Sequence, residues 1–336
     1  MFLQGAFARA SGDWAGLLRV GESSGLRAFV ERELGSIPLV ANGGHDGQIY
    51  FAVARQPLGG EVSAEVVDAG YRYRRILYPL LAGAGGLIGG RALLWGMILW
   101  SAAGMGLATA ATASLAHRLG LSTWVVAGIL ANPGVWLSVQ LLTPDALALG
   151  LALAGMLAWL NGRPGLATAA LAASLLTKEQ FALVLLSIVG HELLTSRRGS
   201  SLKLAAAASL PLLVWMVWLE RRMGGGFTTL GNLTLPFGGI IDSVPGWSRQ
   251  GPRDFLFGVL ALTGLAGAAL TTPFVDNRLI RWLTLPWVMI GVVSSSWVWG
   301  FGNNALRALA PAIVFGAMAL AVVVTNRPES RLIEPR

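Results

Sequence analysis

The residues of this chain best suited to chemistry lie in the short polar stretch Asn42-Gly-Gly-His-Asp-Gly-Gln-Ile-Tyr50. A carboxylate such as Asp46 can act as a general base when it lies within hydrogen-bond distance of a hydroxyl group. Neighbouring glycines (Gly43, Gly44 and Gly47) are expected to let the backbone turn freely, so that the carboxylate can approach a substrate. The alternative is an aspartate that only stabilises a turn. The stretch also contains three polar neighbours of Asp46: His45, Gln48 and Tyr50.

A second polar cluster, Tyr71-Arg-Tyr-Arg-Arg75, is followed by Ile-Leu-Tyr-Pro79. At helical spacing Tyr71, Arg75 and Tyr78 share one face, with Arg74 at its edge, and Pro79 is expected to end or kink the helix. Guanidinium groups bind phosphate oxygens in a bidentate manner, and tyrosine is typical of membrane interfaces. Contact with anionic lipid headgroups explains the cluster equally well. A phosphate carried on a lipid satisfies both interpretations.

Four further charged residues stand near the ends of apolar segments: Asp145, Lys178, Glu179 and Arg307. Pro144-Asp145 is typical of a helix start, where the helix dipole favours a carboxylate. Lys178 and Glu179 could form a simple ion pair. Arg307 lies just inside an apolar segment, where an ionisable residue is a functional candidate by default.

The composition indicates an integral α-helical membrane protein. Of its 336 residues, 54% are hydrophobic and 12% are charged, against about 25% charged in soluble domains. The net charge is +8, but the basic residues lie mainly in loops between apolar segments, as membrane orientation requires. Nucleic-acid binding is therefore not expected. The chain has no cysteine, and its three histidines lie far apart in sequence, so neither a disulfide nor a metal cofactor is indicated.

The predicted fold is an all-α, multi-spanning helical bundle of about nine transmembrane helices. An N-terminal segment, residues 1–90, precedes it and carries short interfacial helices, among them an amphipathic helix over 26–34. Residues 91–325 form the transmembrane domain, and residues 326–336 form a cytoplasmic tail. The nine apolar segments are 92–115, 123–142, 145–160, 165–176, 179–195, 203–221, 254–275, 279–299 and 305–325.

The stretch 165–195 is either one long helix or two helices broken at Thr177-Lys-Glu-Gln180. A charged residue in the middle of a bilayer costs at least about 2.5 kcal/mol on insertion scales, which favours the break. The break also divides the Lys and Arg residues after position 91 into ten on one side and six on the other, whereas one long helix gives seven and eight. Because cytoplasmic loops carry the excess of positive charge, the side with ten is expected to be cytoplasmic.

This topology places the unusual polar residues on one face of the membrane. The Asp46 loop, the arginine cluster, Asp145, Lys178-Glu179 and Arg307 then all lie outside the cytoplasm. The long loop 222–253 lies there too, and its glycines and prolines suggest a flexible lid or an acceptor surface.

Four of these motifs resemble those of bacterial multi-spanning glycosyltransferases of the GT-C fold. They are Asp46-Gly-Gln-Ile-Tyr50, Tyr71-Arg-Tyr-Arg-Arg-Ile-Leu-Tyr-Pro79, Leu176-Thr-Lys-Glu179 and Arg307-Ala-Leu-Ala-Pro311. More narrowly, they are similar to membrane proteins linked to cell-surface glycopolymer formation. The resemblance extends over most of residues 40–315. In this family a transmembrane helix normally precedes the aspartate loop; none is visible here, although Phe2–Arg9 could be its tail, and His45 stands where a tyrosine is expected.

The resemblance implies an extracytoplasmic active site in the bacterial plasma membrane. It implies a polyprenyl-phosphate sugar donor, a glycan or lipid-linked acceptor, and Asp46 as the catalytic base. Basic residues would hold the donor phosphate: Arg72, Arg74, Arg75, Lys178 and Arg307. Supporting roles would fall to His45, Gln48, Tyr50, Tyr71, Asp145 and Glu179. The expected reaction is an inverting hexosyl or pentosyl transfer; the alternatives are a lipid or glycan transporter, or a non-catalytic component of polysaccharide assembly.

Overall fold

The computed structural model describes residues 12–41, 43–194, 198–227 and 231–325. The expected tail 326–336, Asn42 and the stretch Phe2–Arg9 lie outside the described residues. Within them the chain is all-helical, with seventeen α-helices, apart from one pair of two-residue parallel strands.

The N-terminal part contains the strands β1 (Val20–Gly21) and β2 (Leu39–Val40), and the helices α1 (Arg27–Leu34), α2 (Asp46–Arg55), α3 (Ala69–Tyr73) and α4 (Leu77–Ala82). The remainder contains α5 (Gly90–Arg118), α6 (Ala127–Leu130), α7 (Pro133–Gln140), α8 (Asp145–Leu160), α9 (Pro164–Thr177), α10 (Ala182–Leu193), α11 (Arg198–Met223), α12 (Gly238–Gln250), α13 (Pro252–Thr271), α14 (Arg278–Val293), α15 (Ser296–Trp299), α16 (Gly302–Ala308) and α17 (Ala310–Thr325). Short 3-10 helices occupy Trp14–Leu18, Glu61–Ala64, Ala84–Gly86, Thr123–Val126, Glu179–Phe181 and Thr272–Phe274.

Among the described residues, three helices are long and apolar enough to cross a membrane: Gly90–Arg118, Gly199–Met223 and Pro252–Phe274. A fourth crossing results if α16 and α17, which meet at an angle of 52°, form one bent span. The structure therefore supports a helical membrane protein with three to four candidate spans and does not confirm nine. All nine apolar segments are at least partly helical, but several are short or divided; segment 123–142, for example, is split among a 3-10 helix, α6 and α7.

The expected break within 165–195 is confirmed. Helix α9 ends at Thr177, and Lys178 has an extended backbone with φ −159° and ψ 114°. The 3-10 helix Glu179–Phe181 and then α10 follow. The break places the charged pair at a helix terminus, where side chains of other segments can reach it.

Helix α1 confirms the amphipathic helix expected over 26–34, since Phe29, Val30 and Leu34 are buried and Gly35 caps its C-terminus. The expectation for Pro79 was wrong. Helix α3 ends at Tyr73, and Pro79 lies in the first turn of the next helix, α4. Proline fits there because the N–H groups of a first helical turn have no partner within the helix. Arg74 and Arg75 consequently lie in the junction between two short helices.

Small residues bring α5 and α8 into close contact. A Cβ atom on Gly104 would lie 2.5 Å from the backbone of Leu147, and one on Gly150 would lie 2.6 Å from the Gly104 carbonyl oxygen. Backbones that approach this closely require glycine at the crossing, as is typical of membrane helices. The contact fixes the start of α8, and with it Asp145, against α5.

Candidate functional site

Asp46 is the first residue of α2, and two arginines bind its carboxylate. Its Oδ1 accepts a hydrogen bond of 2.9 Å from Nη1 of Arg72, and its Oδ2 accepts one of 2.7 Å from Nη2 of Arg307. The two arginines are 26 and 261 residues away in sequence. Burial by itself would raise the pKa of Asp46, but the two positive charges outweigh it and hold the pKa well below the ordinary value of aspartate. The carboxylate is therefore ionised and fully paired.

The glycines around Asp46 combine the turn expected from the sequence, at Gly44, with close packing, at Gly44 and Gly47. Gly44 has a φ of +78°, and a Cβ there would lie 2.4 Å from the carbonyl oxygen of Arg19. Gly47 is helical, and a Cβ there would lie 2.7 Å from the carbonyl oxygen of Leu141. Gly43, by contrast, has no such neighbour within 4 Å. The start of α2 is thus pressed against two other segments, which fixes the position of Asp46.

Arg307 links Asp46 to a second carboxylate, Asp145. Nε of Arg307 lies 3.6 Å from Oδ2 of Asp145, whose Oδ1 forms an ion pair with Nζ of Lys178. The hydroxyl of Thr143 donates a hydrogen bond of 2.7 Å to Oδ2 of Asp145. The simple ion pair expected between Lys178 and Glu179 is therefore not formed. The extended backbone at Lys178 turns the two neighbouring side chains towards different partners.

Glu179 instead forms a bidentate ion pair with Arg75. Nε of Arg75 lies 3.1 Å from Oε2 of Glu179, and its Nη2 lies 3.0 Å from Oε1. Arg75 also donates to the hydroxyl oxygens of Tyr50, at 3.2 Å, and Tyr71, at 2.5 Å. All of its terminal nitrogens are engaged, which makes it a rigid part of the cluster.

Three guanidinium groups surround the ring of Tyr71. Those of Arg72, Arg74 and Arg75 lie 5.8, 4.9 and 4.7 Å from the ring centroid. At these distances the negative face of the ring attracts the cations. The expectation that Tyr71 and Arg75 meet on one face is confirmed. Tyr78 lies elsewhere, because it is buried and its hydroxyl binds the Met97 carbonyl and the Ser101 hydroxyl.

Gln48 and His45 stabilise the loop that precedes α2. The side-chain amide of Gln48 donates to the Gly43 carbonyl at 2.7 Å and accepts from the Gly21 amide at 3.4 Å. The backbone amide of His45 donates to the Arg19 carbonyl. Burial and then the positive charge of Arg307 lower the pKa of His45, which favours its neutral imidazole.

The structure thus connects ten of the twelve sequence-predicted site residues through side-chain contacts, and the other two, His45 and Gln48, hold the adjoining loop through its backbone. The five basic residues (Arg72, Arg74, Arg75, Lys178 and Arg307) face three carboxylates (Asp46, Asp145 and Glu179), which leaves a net charge of +2 from five positive and three negative groups. A small pocket adjoins Asp145, Lys178 and Arg307 and is otherwise lined mainly by apolar residues, among them Phe181 and Leu149. Within the described part of the chain, no group of three or more His, Asp or Glu side chains could hold a metal ion.

Two contributors were missed by the sequence reasoning. Thr143 precedes Pro144-Asp145, and its position at a helix start was the available signal, because hydroxyl residues are typical there. Asn232 donates from its side-chain amide to the Tyr71 hydroxyl at 3.2 Å. It comes from the segment between α11 and α12, within the stretch 222–253 that was expected to be a loop but contains α12, and nothing in its local sequence indicates this contact.

Comparison of the chain with protein-family models, curated proteins and solved structures finds no match. The functional interpretation therefore depends on the geometry and charge of the site.

Proposed function

We propose that this chain is a membrane glycosyltransferase that transfers a sugar from a polyprenyl-phosphate donor to a hydroxyl group of a cell-surface glycan or lipid-linked acceptor. The observation that carries the proposal is the gathering of five basic residues from distant segments around Asp46, with two positive charges in excess. In this proposal the nine apolar segments form a GT-C-like bundle in a bacterial plasma membrane, and the cluster faces the extracytoplasmic side.

The charge of the cluster suits the expected change in the substrate. A sugar bound to polyprenyl phosphate is a phosphodiester with one negative charge. Its leaving group is a phosphate monoester, and such groups carry about −1.5 to −2 at neutral pH. An excess of two positive charges stabilises the leaving group more than the donor, and an interaction that strengthens in the transition state accelerates the reaction.

Arg72 is the residue best placed to receive the phosphate. Its side chain is 22% exposed, against 10% for Arg75, 9% for Lys178 and 12% for Arg307. Arg75 and Lys178 are paired more completely, with Glu179 and Asp145 respectively. In our proposal these two therefore act mainly by maintaining the positive potential and the positions of their neighbours.

Asp46 must lose a partner before it can act as a base. While Arg72 and Arg307 both bind its carboxylate, its proton affinity is too low to take a proton from a hydroxyl group. A donor phosphate offers Arg72 an alternative partner. Transfer of Arg72 from Asp46 to the phosphate raises the pKa of Asp46, so donor binding prepares the base.

The reaction is then a direct displacement. The acceptor oxygen forms a bond to the anomeric carbon, while the bond between that carbon and the phosphate oxygen breaks and its electron pair stays on the polyprenyl phosphate. The hydroxyl proton moves to Asp46. A single displacement inverts the anomeric configuration.

The test is glycosyl transfer by the purified protein in detergent, with a polyprenyl-phosphate sugar and a hydroxyl acceptor. We expect Asp46→Asn to lower kcat by about 10²- to 10⁴-fold, the usual contribution of a general base. Asp13→Asn is the control, since Asp13 pairs with the exposed Arg91 outside the cluster. Unchanged transfer by Asp46→Asn would refute the assignment of the base.

A transporter of lipid or glycan is the second candidate, favoured by the 52° bend between α16 and α17. Arg307 stands two residues before that bend, and transporters commonly place binding sites at interrupted helices. A comparison of activity in vesicles and in detergent distinguishes a transporter from a glycosyltransferase. A transporter moves a labelled lipid across vesicles without making a glycosidic bond, whereas a transferase forms product in detergent, where no compartments exist.

A further inference from the structure

An exposed apolar segment lies close to the charged cluster and is unused by the proposed chemistry. Residues 231–241, which we call the apolar flap, contain no charged residue. Four large side chains of the flap are exposed: Leu233 by 55%, Leu235 by 80%, Phe237 by 54% and Ile241 by 68%. In water such a patch would be an association or aggregation surface.

The flap is an ordered element. The amides of Thr234 and Phe237 donate to the carbonyls of Val293 and Val292 at 2.7 and 2.8 Å, and the Ser295 amide donates to the Asn232 carbonyl at 2.8 Å. These bonds fasten the flap to the C-terminal end of α14 and to Ser295, two residues before Trp297, which is 72% exposed. The apolar side chains are therefore held outward by the backbone.

The position of the flap indicates what covers it. It lies between the candidate spans Gly199–Met223 and Pro252–Phe274, so it belongs to one face of the membrane. Both spans expose apolar side chains of their own, for example Val214 and Leu256, and the flap extends that surface. Four exposed arginines flank the flap in sequence, Arg221 and Arg222 before it and Arg249 and Arg253 after it, and one exposed acid, Asp242, follows it directly. Arginine and tryptophan beside an apolar surface are typical of the headgroup level of a bilayer with anionic lipids.

We infer that the apolar flap is inserted into the lipid interface on the side of the membrane where the charged cluster lies. The bilayer itself covers the flap: acyl chains contact the Leu, Phe and Ile side chains, and headgroups lie beside the arginines. Asn232, a residue of the flap, connects the flap to the charged cluster through its hydrogen bond to Tyr71. The inference does not depend on glycosyl transfer, because it concerns depth in the membrane and not activity.

The chain allows a direct test because it contains no cysteine. Leu235→Cys is labelled with an environment-sensitive fluorophore, and the protein is reconstituted into vesicles of phosphatidylcholine and phosphatidylglycerol. Quenching is measured with lipids that carry a nitroxide on the acyl chain and, separately, with aqueous iodide. Ser248→Cys is the matched control, since Ser248 is an exposed polar residue at the end of α12, next to Arg249.

We expect the label at Leu235 to be quenched several-fold more by the nitroxide lipid than the label at Ser248, and less by iodide. Equal iodide quenching at the two positions would overturn the inference, because the flap would then face water. Protection of Leu235 from both quenchers would also overturn it, since the flap would then be covered by protein, such as a second copy of the chain. Circular dichroism of each labelled protein checks that the helices are intact.

Discussion

The bidentate pair between Arg75 and Glu179 yields the sharpest prediction about how the cluster is held together. It joins the junction of α3 and α4 to the break between α9 and α10, 104 residues away in sequence. The side chains of Arg75 and Glu179 are only 10% and 21% exposed. Arg75→Gln removes the positive charge but keeps a polar side chain, and Glu179→Gln does the same for the negative charge.

The magnitude follows from the burial of the pair. Removal of one partner from a buried ion pair leaves a buried charge without compensation and costs about 3–5 kcal/mol. Because Glu179 is partly exposed, we expect about 3 kcal/mol for Arg75→Gln. Removal of both charges abolishes the uncompensated charge, so the double variant should be less destabilised than the sum of the two single variants, with a coupling energy of about 1–3 kcal/mol.

The assay is denaturant unfolding of the four proteins in mixed micelles, analysed as a double-mutant cycle. Arg32→Gln is the matched control, because Arg32 forms an ion pair with Glu61 in which both side chains are about 60% exposed. Such surface pairs contribute less than about 1 kcal/mol. Additive effects of Arg75→Gln and Glu179→Gln would show that the two segments are not coupled through this pair, and would refute the reasoning.

Two further predictions concern the immediate surroundings of Asp46. In Arg72→Gln the carboxylate of Asp46 keeps only Arg307 as a bound partner, so the pKa of Asp46 rises towards its ordinary value. Because a base is lost as pH falls through its pKa, the acid limb of kcat/KM against pH should move to higher pH than in the wild type. An unmoved acid limb would contradict the assignment of Asp46 as the base. Gly47→Ala places a Cβ 2.7 Å from the Leu141 carbonyl oxygen and should destabilise the protein by about 1–3 kcal/mol. Gly43→Ala is the control, because its Cβ meets open space and should have little effect on stability. Thermal unfolding in detergent distinguishes the two variants.

The sequence predicted the elements of this fold more successfully than their contacts. Long apolar segments such as 92–115 became helices because a chain in lipid must satisfy its backbone hydrogen bonds internally. The break at Lys178 was predictable for a related reason, since two adjacent charges are costly in the middle of a span. The number of crossings was not settled by the same reasoning, because short helices such as α8 and α9 are apolar without being long enough to span a bilayer alone.

The partners within the cluster could not be predicted from spacing. Lys178 and Glu179 are neighbours, yet each pairs with a residue from another segment. The choice depends on one extended residue between two helices and on the junction created where α3 ends at Tyr73. Which charges would gather was predictable from their placement along the chain, but which carboxylate meets which base depends on tertiary packing.

The pattern of pairing bears on what kind of ligand the cluster can accept. Each carboxylate is bound by at least one base, so an incoming anion meets cations that are already engaged. An anion that binds Arg72 or Arg307 competes with Asp46 for the same guanidinium group, and a group that gains charge during a reaction competes more strongly. Arg72 and Arg307 are shared with Asp46, so their movement towards such a ligand necessarily releases the carboxylate. Anion binding and the basicity of Asp46 are therefore coupled by the same two hydrogen bonds, and in the proposed reaction the base would be prepared only when the phosphate is in place.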